Sequence, residues 1–312
     1  MQNTLFSFAT RFILLTIWSA LKGPYCHAQN VAIIYPEVRD PFLQIFLKIA
    51  DGAKSIPNTN ITLYSLQKQN HPEYLKTWIV QHNIDVAVTL GNRGYAVVAD
   101  MPANIPVVTG AMLLNPDTKN ISGISIAPSP EILFTLLKKI SPQTFNIHVI
   151  YPLNKNDWLI EKAEQAAKNR QLTLLAHGAR GIHGLAELYK SILNNMDTSN
   201  SALWLPYTGR GLDRALMQKV LETAWERNIV VFSSNFSDVK RGVLFSLYPD
   251  NFEMGKSLAK MAIQRIGNNE QPHRITLVDT LLKAVNLRTA DHLGLHFTKT
   301  QEKNFDFIYP PQ

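Results

Sequence analysis

The sequence has 312 residues, of which 46% are hydrophobic and 18% charged, and its formal net charge is +7 at pH 7. This composition is typical of a globular protein, and the length is sufficient for two domains of ordinary size. The basic residues are spread along the chain and form no stripe with interleaved aromatic residues, which argues against a nucleic-acid-binding protein.

The amino-terminal residues have the pattern of an export signal. Arg11 and Lys22 flank an apolar run at 12–21, which has the length of a signal-peptide core but is too short to span a bilayer. Ala28 provides a small-residue cleavage site, so residues 1–28 are predicted to be a signal peptide and the mature chain to begin near residue 29 in the periplasm. A lipid anchor on Cys26 is the alternative, which residues 23–25 disfavour because they lack the leucine and small residues of a lipoprotein signal.

Cys26 is the single cysteine of the sequence, and the predicted cleavage removes it. A mature chain without thiols excludes thiol catalysis and cysteine-ligated metal, and it suits an oxidising compartment. We also expect no metal ion and no cofactor.

The mature chain alternates strand-like and helix-like segments in two similar series. Predicted strands lie at 31–35, 61–64, 84–90, 105–109 and 121–126, and then at 146–151, 172–176, 202–205 and 229–232. Predicted helices lie at 41–53, 72–82, 96–100 and 130–140, and then at 158–169, 185–193 and 212–227. This alternation predicts an α/β fold with a parallel sheet in each half.

Both halves begin with a strand that ends in Ile-Tyr-Pro, at 34–36 and at 150–152. The repeat suggests two Rossmann-like lobes of related design. We expect the first lobe to comprise residues 29–142 and about 249–270, and the second to comprise 143–248 and about 271–312. The hinge would then lie near 141–142, 248–250 and 268–272.

Polar and aromatic residues follow the predicted strands at their carboxyl ends, which is the edge of an open α/β sheet where ligands bind. The predicted ligand-binding residues are Tyr35, Asn92, Arg93, Thr109, Tyr151, Tyr207, Thr208, Arg210, Ser233 and Ser234, and a wider set adds Arg39 and Trp158. The alternative interpretation is structural. The glycines of these loops would then only turn the chain, the arginines would be solvated, and Tyr151 and Trp158 would belong to the core.

Several short motifs occur in an order that resembles a known family. They are Ile-Pro-Val-Val-Thr at 105–109, Asn-Ile-Ser-Gly-Ile-Ser at 120–125, Ala-Leu-Trp-Leu-Pro at 202–206, Arg-Gly-Val-Leu at 241–244, and Tyr-Pro-Asp-Asn-Phe-Glu-Met-Gly at 248–255. From about residue 31 to the carboxyl end, the chain resembles the ABC-transporter substrate-binding proteins of the type I periplasmic binding fold, a group that includes tryptophan and tyrosine binders.

This resemblance implies a periplasmic solute-binding component of an ABC import system. Such a protein binds a small molecule in the cleft between two lobes and closes about a hinge. The implied partners are an ABC permease and its ATPase, and a monomer without enzymatic activity is expected.

Two departures from the family pattern bear on the ligand. The amino-acid binders carry Asp-Pro where this chain has Gly110 and Ala111, and they carry Asp-Asn where it has Tyr207 and Thr208. A free amino acid needs a carboxylate for its ammonium and donors for its carboxylate. The hydroxyl-bearing, aromatic and cationic candidates therefore favour an anionic or aromatic solute over a zwitterion.

Two other functions remain open at this point. A periplasmic subunit that presents its ligand to a membrane-bound kinase or cyclase would have the same sequence features. An enzyme has less support, because the glycine-rich segment 178–184 lacks the G-x-G-x-x-G spacing of a dinucleotide fingerprint and there is no G-x-S-x-G elbow. His292 and His296 also lack the glutamate that a zincin places after its first histidine.

Overall fold

A computed structural model describes residues 28–67, 72–153, 156–209, 212–268 and 272–311. The predicted apolar run at 12–21, Cys26 and Arg210 lie outside the described residues. Among the helices within the described ranges, none has both the length and the hydropathy that crossing a membrane requires.

Strands and helices alternate along the described chain. The strands are β1 (Gln29–Pro36), β2 (Thr59–Leu66), β3 (Val86–Leu90), β4 (Val107–Met112), β5 (Ser122–Pro128), β6 (Asn146–Pro152), β7 (Thr173–Ala179), β8 (Ser201–Leu205), β9 (Val230–Ser233), β10 (Phe245–Pro249), β11 (Ile275–Val278), β12 (Leu281–Asn286) and β13 (Phe307–Tyr309). The helices are α1 (Phe42–Lys54), α2 (Pro72–Gln81), α3 (Gly91–Ala96), α4 (Pro130–Ile140), α5 (Asp157–Asn169), α6 (Gly181–Asn195), α7 (Arg214–Glu226), α8 (Phe236–Val239), α9 (Asn251–Ile263), α10 (Leu287–His292) and α11 (Lys299–Glu302), and a 3₁₀ turn spans Val98–Asp100.

The first sheet has six parallel strands in the order β11-β5-β4-β3-β1-β2. Its strands are rich in β-branched residues because helices cover both faces. Val88 and Val108 pack under Ile49 of α1 and Leu258 of α9. We call this sheet, with α1, α2, α3 and α9, the first lobe.

The first lobe depends on an unusually close approach of two helices. A Cβ atom on Gly52 of α1 would overlap the carbonyl oxygen of Phe252, and a Cβ atom on Gly255 of α9 would overlap the carbonyl oxygen of Ile49. Only glycine therefore permits this packing of α1 on α9.

The second sheet has seven strands in the order β13-β12-β10-β9-β8-β6-β7, and all neighbours are parallel except β10 and β12. Fully buried Trp204 and Phe232 meet Phe134 of α4 edge-on in its core. We call this sheet, with α4 to α8, α10 and α11, the second lobe. The two mostly parallel sheets agree with the α/β, two-sheet fold predicted from the sequence.

The chain passes between the two sheets three times: from β5 to α4, from β10 to α9, and from β11 to β12. Two of these crossings correct the boundaries expected from the sequence. Residues 130–140 belong to the second lobe because Leu133, Phe134 and Leu137 pack with its core. Residues 275–278 belong to the first lobe because β11 pairs with β5.

Two helices begin earlier than their sequence pattern predicts. Helix α3 begins at Gly91, directly after β3, whereas a helix was expected from residue 96. Helix α6 begins at Gly181, whereas residue 185 was expected. Both glycines have positive φ angles, +71° and +69°. Glycine adopts this region without a steric penalty, so the chain turns from strand to helix within one residue.

Candidate functional site

A cavity of about 660 Å³ opens at the carboxyl edge of the second sheet. The ends of β6, β7 and β8, the loop after β9, and helices α6 and α7 form its wall. Its lining includes Asn92, Ile150, Arg180, Ile182, Leu185, Tyr189, Leu205, Tyr207, Thr208, Asp213, Leu216, Met217, Asn235 and Asp238. Its size and its mixture of apolar walls with a few polar groups are typical of a small-molecule site.

Three of the predicted ligand-binding residues line this cavity: Asn92, Tyr207 and Thr208. Asn92 lies on the first turn of α3 and is exposed. Among the residues that the structure describes, it is the only contribution of the first lobe to the cavity wall. Tyr207 follows β8, and burial raises the pKa of its hydroxyl, which therefore stays protonated and can donate a hydrogen bond.

The other first-lobe candidates make contacts within their own lobe. The Arg93 guanidinium donates to the carbonyl oxygen of Gln67 at 2.7 Å. Thr109 is buried between strands, and its hydroxyl lies 2.9 Å from that of Thr89 on β3. The Tyr35 ring packs 6.0 Å from the ring of Phe46. None of the last three candidates lines the cavity.

The second-lobe candidates divide between the cavity floor and the core. Ser234 accepts a hydrogen bond from Nε1 of the buried Trp204 at 3.1 Å, and Tyr151 packs against the core around Trp158. Ser233 is fully buried and does not line the cavity. Its hydroxyl donates to Oδ2 of Asp238, which does line the cavity, at 2.7 Å.

Asp238 and its neighbours form a polar floor that the sequence did not reveal. Asp238 is 4% exposed and accepts from Ser233, while Arg241 lies 3.6 Å from its other oxygen. Burial raises the pKa of the Asp238 carboxyl, and the hydrogen bond from Ser233 and the charge of Arg241 oppose that rise. The Asn235 side chain caps α8 by accepting from the Ser237 backbone N–H. The Asn-x-x-Asp spacing after a strand is the one sequence signal that could have identified this group.

Tyr189 of α6 also lines the cavity, although it lies inside a helix and not in a strand-end loop. It is 2% exposed, and its hydroxyl has no hydrogen-bond partner within the described part of the chain. Burial and the nearby Asp238 raise the pKa of this hydroxyl. A search limited to carboxyl ends of strands could not find Tyr189.

The mouth of the cavity carries charges of both signs. Arg180 and Gly181 stand at the amino end of α6, and Asp213 caps α7 by accepting from the backbone N–H of Leu216 at 3.0 Å. Arg180 belongs to the glycine-rich segment 178–184, whose spacing does not fit a dinucleotide fingerprint. In the structure, this segment contains the end of β7 and the first turn of α6, and it lines one side of the cavity.

A second depression, of about 740 Å³, follows the outer face of α7 and is lined by residues such as Gln218, Glu222 and Trp225. Its described lining includes no residue of the first lobe and no strand end. The cavity at the sheet edge is therefore the better candidate for the functional site.

Comparisons with known proteins agree with this fold. The sequence profile of the ABC transporter substrate binding protein family matches residues 48–301. A search of curated proteins finds no match to the sequence.

Solved structures show the same architecture at low sequence identity. An ABC domain in complex with L-Trp from Streptococcus pneumonia is 16% identical and has a TM-score of 0.60, over 90% of this chain and 99% of that one. A ligand-free, open substrate binding protein with adhesive properties from Clostridium difficile is 15% identical, with a TM-score of 0.64 over 89% and 98% of the two chains. A periplasmic ribose ABC transporter structure from Conexibacter woesei is 14% identical, with a TM-score of 0.55 over 87% and 96%.

At these identities, the solved structures establish the fold, which is that of the type I periplasmic binding proteins. The family assignment depends on the profile, which covers most of the chain, from within α1 to within α11. The chain belongs to the ABC transporter substrate binding protein family.

Proposed function

We propose that this protein is the periplasmic solute-binding component of an ABC import system and binds a small molecule in the cavity at the edge of the second sheet. The single observation that carries the proposal is the cavity of about 660 Å³, whose wall combines four loops of the second lobe with Asn92 of the first. A solute that contacts both lobes would favour their closed arrangement by its differential affinity.

The proposed ligand contacts are Asn92, Tyr207 and Thr208, joined by Asn235, Asp238 and Arg180 on the same cavity wall. Arg210 remains a candidate because its neighbours Thr208 and Gly209 line the cavity. Ser233 would act indirectly by holding the Asp238 carboxyl, while Arg93, Thr109, Tyr35, Tyr151 and Ser234 would support the surrounding structure.

Closure would occur about the three crossings, at residues 128–130, 249–251 and 278–281. In this arrangement the second lobe holds most of the ligand contacts and the first lobe covers them. Solution scattering of the purified protein tests this. A solute that raises the melting temperature should also reduce the radius of gyration, and an unchanged radius at saturation would contradict closure.

We further propose that binding is not followed by chemistry and that the protein acts as a monomer in the periplasm with a permease and an ATPase. Mass spectrometry of the solute after prolonged incubation should recover it unchanged. The same technique applied to the mature protein should find an amino terminus near residue 29, and a chain that keeps residues 1–28 or carries lipid on Cys26 would contradict the proposed export.

A signalling subunit that uses the same closure is distinguished by reconstitution. An import component should stimulate ATP hydrolysis by the permease and ATPase in vesicles when the solute is present. Stimulation of a membrane-bound kinase or cyclase instead would assign the sensing role.

A further inference from the structure

We propose that the solute carries an apolar arm that enters between α6 and α7 of the second lobe, and that a polar atom at the tip of this arm hydrogen-bonds to the Tyr189 hydroxyl. This inference rests on the proposed solute-binding function and specifies the class of solute.

The inner part of the cavity, which we call the slot, lies between α6 and α7 and has apolar walls. Helix α6 contributes Leu185, helix α7 contributes Leu216 and Met217, and the strands beneath contribute Ile150 and Leu205. Leu185 and Leu216 are half-buried, which leaves apolar surface open to the cavity. Removing such surface from water is the main favourable contribution to binding an apolar group.

Ile182 extends this apolar surface to the mouth of the cavity. It lies on the first turn of α6 and is 73% exposed. An arm that passes Ile182 on its way between the helices would cover it.

Tyr189 shows that the inner end of this slot is not entirely apolar. Tyr189 is 2% exposed as a residue and lines the cavity, and its hydroxyl has no protein partner among the described residues. A solute atom in the cavity can therefore supply the hydrogen-bond partner that a hydroxyl in a largely buried side chain usually has. Since burial and Asp238 keep this hydroxyl protonated, it can donate to an oxygen or nitrogen at the tip of the arm.

The outer part of the cavity has a different character. Its mouth is lined by four polar residues, which are Asn92, Arg180, Thr208 and Asp213. Polar groups of the solute would therefore remain there, near solvent. The proposed solute is thus amphiphilic, with a polar head at the mouth, an apolar arm between the helices and a hydrogen-bonding tip.

Two matched series of probes test this inference by isothermal titration calorimetry. The first contains straight-chain carboxylates from acetate to decanoate, and the second contains the same chains with a terminal hydroxyl. Affinity in the first series should rise roughly threefold to fourfold per added methylene until the slot is full. Within the second series, one chain length should bind better than its neighbours because its hydroxyl reaches Tyr189.

Paired variants separate the slot from general hydrophobic binding. Leu216→Trp fills the slot and should abolish the dependence on chain length. Leu221→Trp makes the same change on the same helix but outside the cavity, and this variant should keep the dependence of affinity on chain length. Leu185→Trp repeats the test from α6 if Leu216→Trp does not fold, and melting temperatures establish folding for each variant.

Tyr189→Phe tests the tip of the arm. This variant should lose the preference for the hydroxylated chain of optimal length by about tenfold, while its affinity for the plain carboxylates stays the same or rises. An equal loss for both series would overturn the role of the hydroxyl.

The outcomes also separate this inference from the proposed function. If ribose or another compact polar solute binds with compaction while chain length has no effect, the arm is refuted and the solute-binding function stands. If neither these solutes nor any carboxylate binds, the proposed function fails and the arm fails with it. A length dependence that survives Leu216→Trp or Leu185→Trp in folded protein also refutes the arm.

Discussion

The two sheets present carboxyl edges of opposite character. In the first lobe, the hydroxyls of Thr89 and Thr109 form a hydrogen bond with each other, and the Arg93 guanidinium donates to the carbonyl oxygen of Gln67. A Cβ atom on Gly110 would collide with the side chain of Leu258. In the second lobe, the corresponding edge opens into a cavity with a buried polar floor. Two halves of similar plan thus differ at the edge where ligands bind in α/β sheets, since one edge is filled by its own packing and the other opens into the cavity that we propose as the solute site.

The largest expected effect concerns the close packing of the first lobe. Gly255→Ala should lower the free energy of unfolding by about 3 kcal/mol, because the new methyl group would overlap the backbone of Ile49. Chemical denaturation measures this change.

The control for this variant is Gly184→Ala on α6. Its new methyl group would meet only the Cβ atom of Ala179, at 3.8 Å. Since alanine is favoured over glycine in helices, a small stabilisation of about 0.5 kcal/mol is expected. Equal losses in the two variants would mean that the lobes do not differ in packing.

Two tyrosines at strand ends offer a direct test of the comparison. Tyr207 lines the cavity, whereas Tyr35 packs against Phe46 and the first core. Tyr207→Ala should weaken binding of the best solute by at least about tenfold, which is about 1.4 kcal/mol, with little change in melting temperature.

Tyr35→Ala should do the opposite: it should cost about 2 kcal/mol of stability and leave affinity nearly unchanged. Calorimetric titration and thermal unfolding of both variants give the two readouts. A loss of affinity in Tyr35→Ala as large as that in Tyr207→Ala would place ligand contacts equally on both lobes.

A smaller effect is expected from the polar floor of the second lobe. Because burial raises the pKa of Asp238 in the folded state, the folded protein binds a proton there more tightly than the unfolded chain does. Its contribution to stability is therefore most favourable at low pH and declines as pH rises from the ordinary carboxyl range through the folded-state pKa. Asp238→Asn should remove this decline.

The measurement is the difference in unfolding free energy between wild type and Asp238→Asn across the acidic range. Asp213→Asn, at the cavity mouth, serves as the control for loss of one carboxylate from the same region. If the Asp238→Asn difference shows no trend with pH, the floor carboxyl is not destabilised by its burial.

The smallest effect is expected from a histidine pair within the second sheet. His148 and His177 stack with centroids 5.4 Å apart, and Nδ1 of the first lies 3.2 Å from Nε2 of the second. Burial lowers the pKa of both rings, and the charge of His177 lowers that of His148 further. Their neutral forms stabilise the fold above the ordinary value of 6.5, and this stability is lost as pH falls through that value toward the folded-state pKa values.

His148→Gln should therefore flatten the loss of stability between pH 7 and about pH 5, as measured by urea unfolding. His183→Gln, an exposed histidine on α6, should leave the slope unchanged. An identical slope in wild type and His148→Gln would show that the pair does not contribute to acid sensitivity.

The sequence alone determined the class of fold, because the signals for it are local. Alternating apolar strands and amphipathic helices predict a parallel sheet in each half, and every predicted strand up to residue 232 appears within a few residues of its expected position. The motifs of the two halves also sufficed to identify the family. Lobe boundaries were not determined in this way, since α4 has an apolar face that could cover either sheet. The packing of Leu133, Phe134 and Leu137 with the core around Trp204 assigns it to the second lobe.

The candidate site depended on the tertiary structure to a greater degree. Strand-end position identified Asn92, Tyr207 and Thr208, but it could not show that Arg93 turns toward Gln67 or that Thr109 pairs with Thr89. Tyr189 lies inside α6 and reaches the cavity only because α6 and α7 pack side by side over β6 and β8. The direction of a side chain and the space between two helices are set by contacts between residues far apart in sequence, and a local pattern holds no information about them.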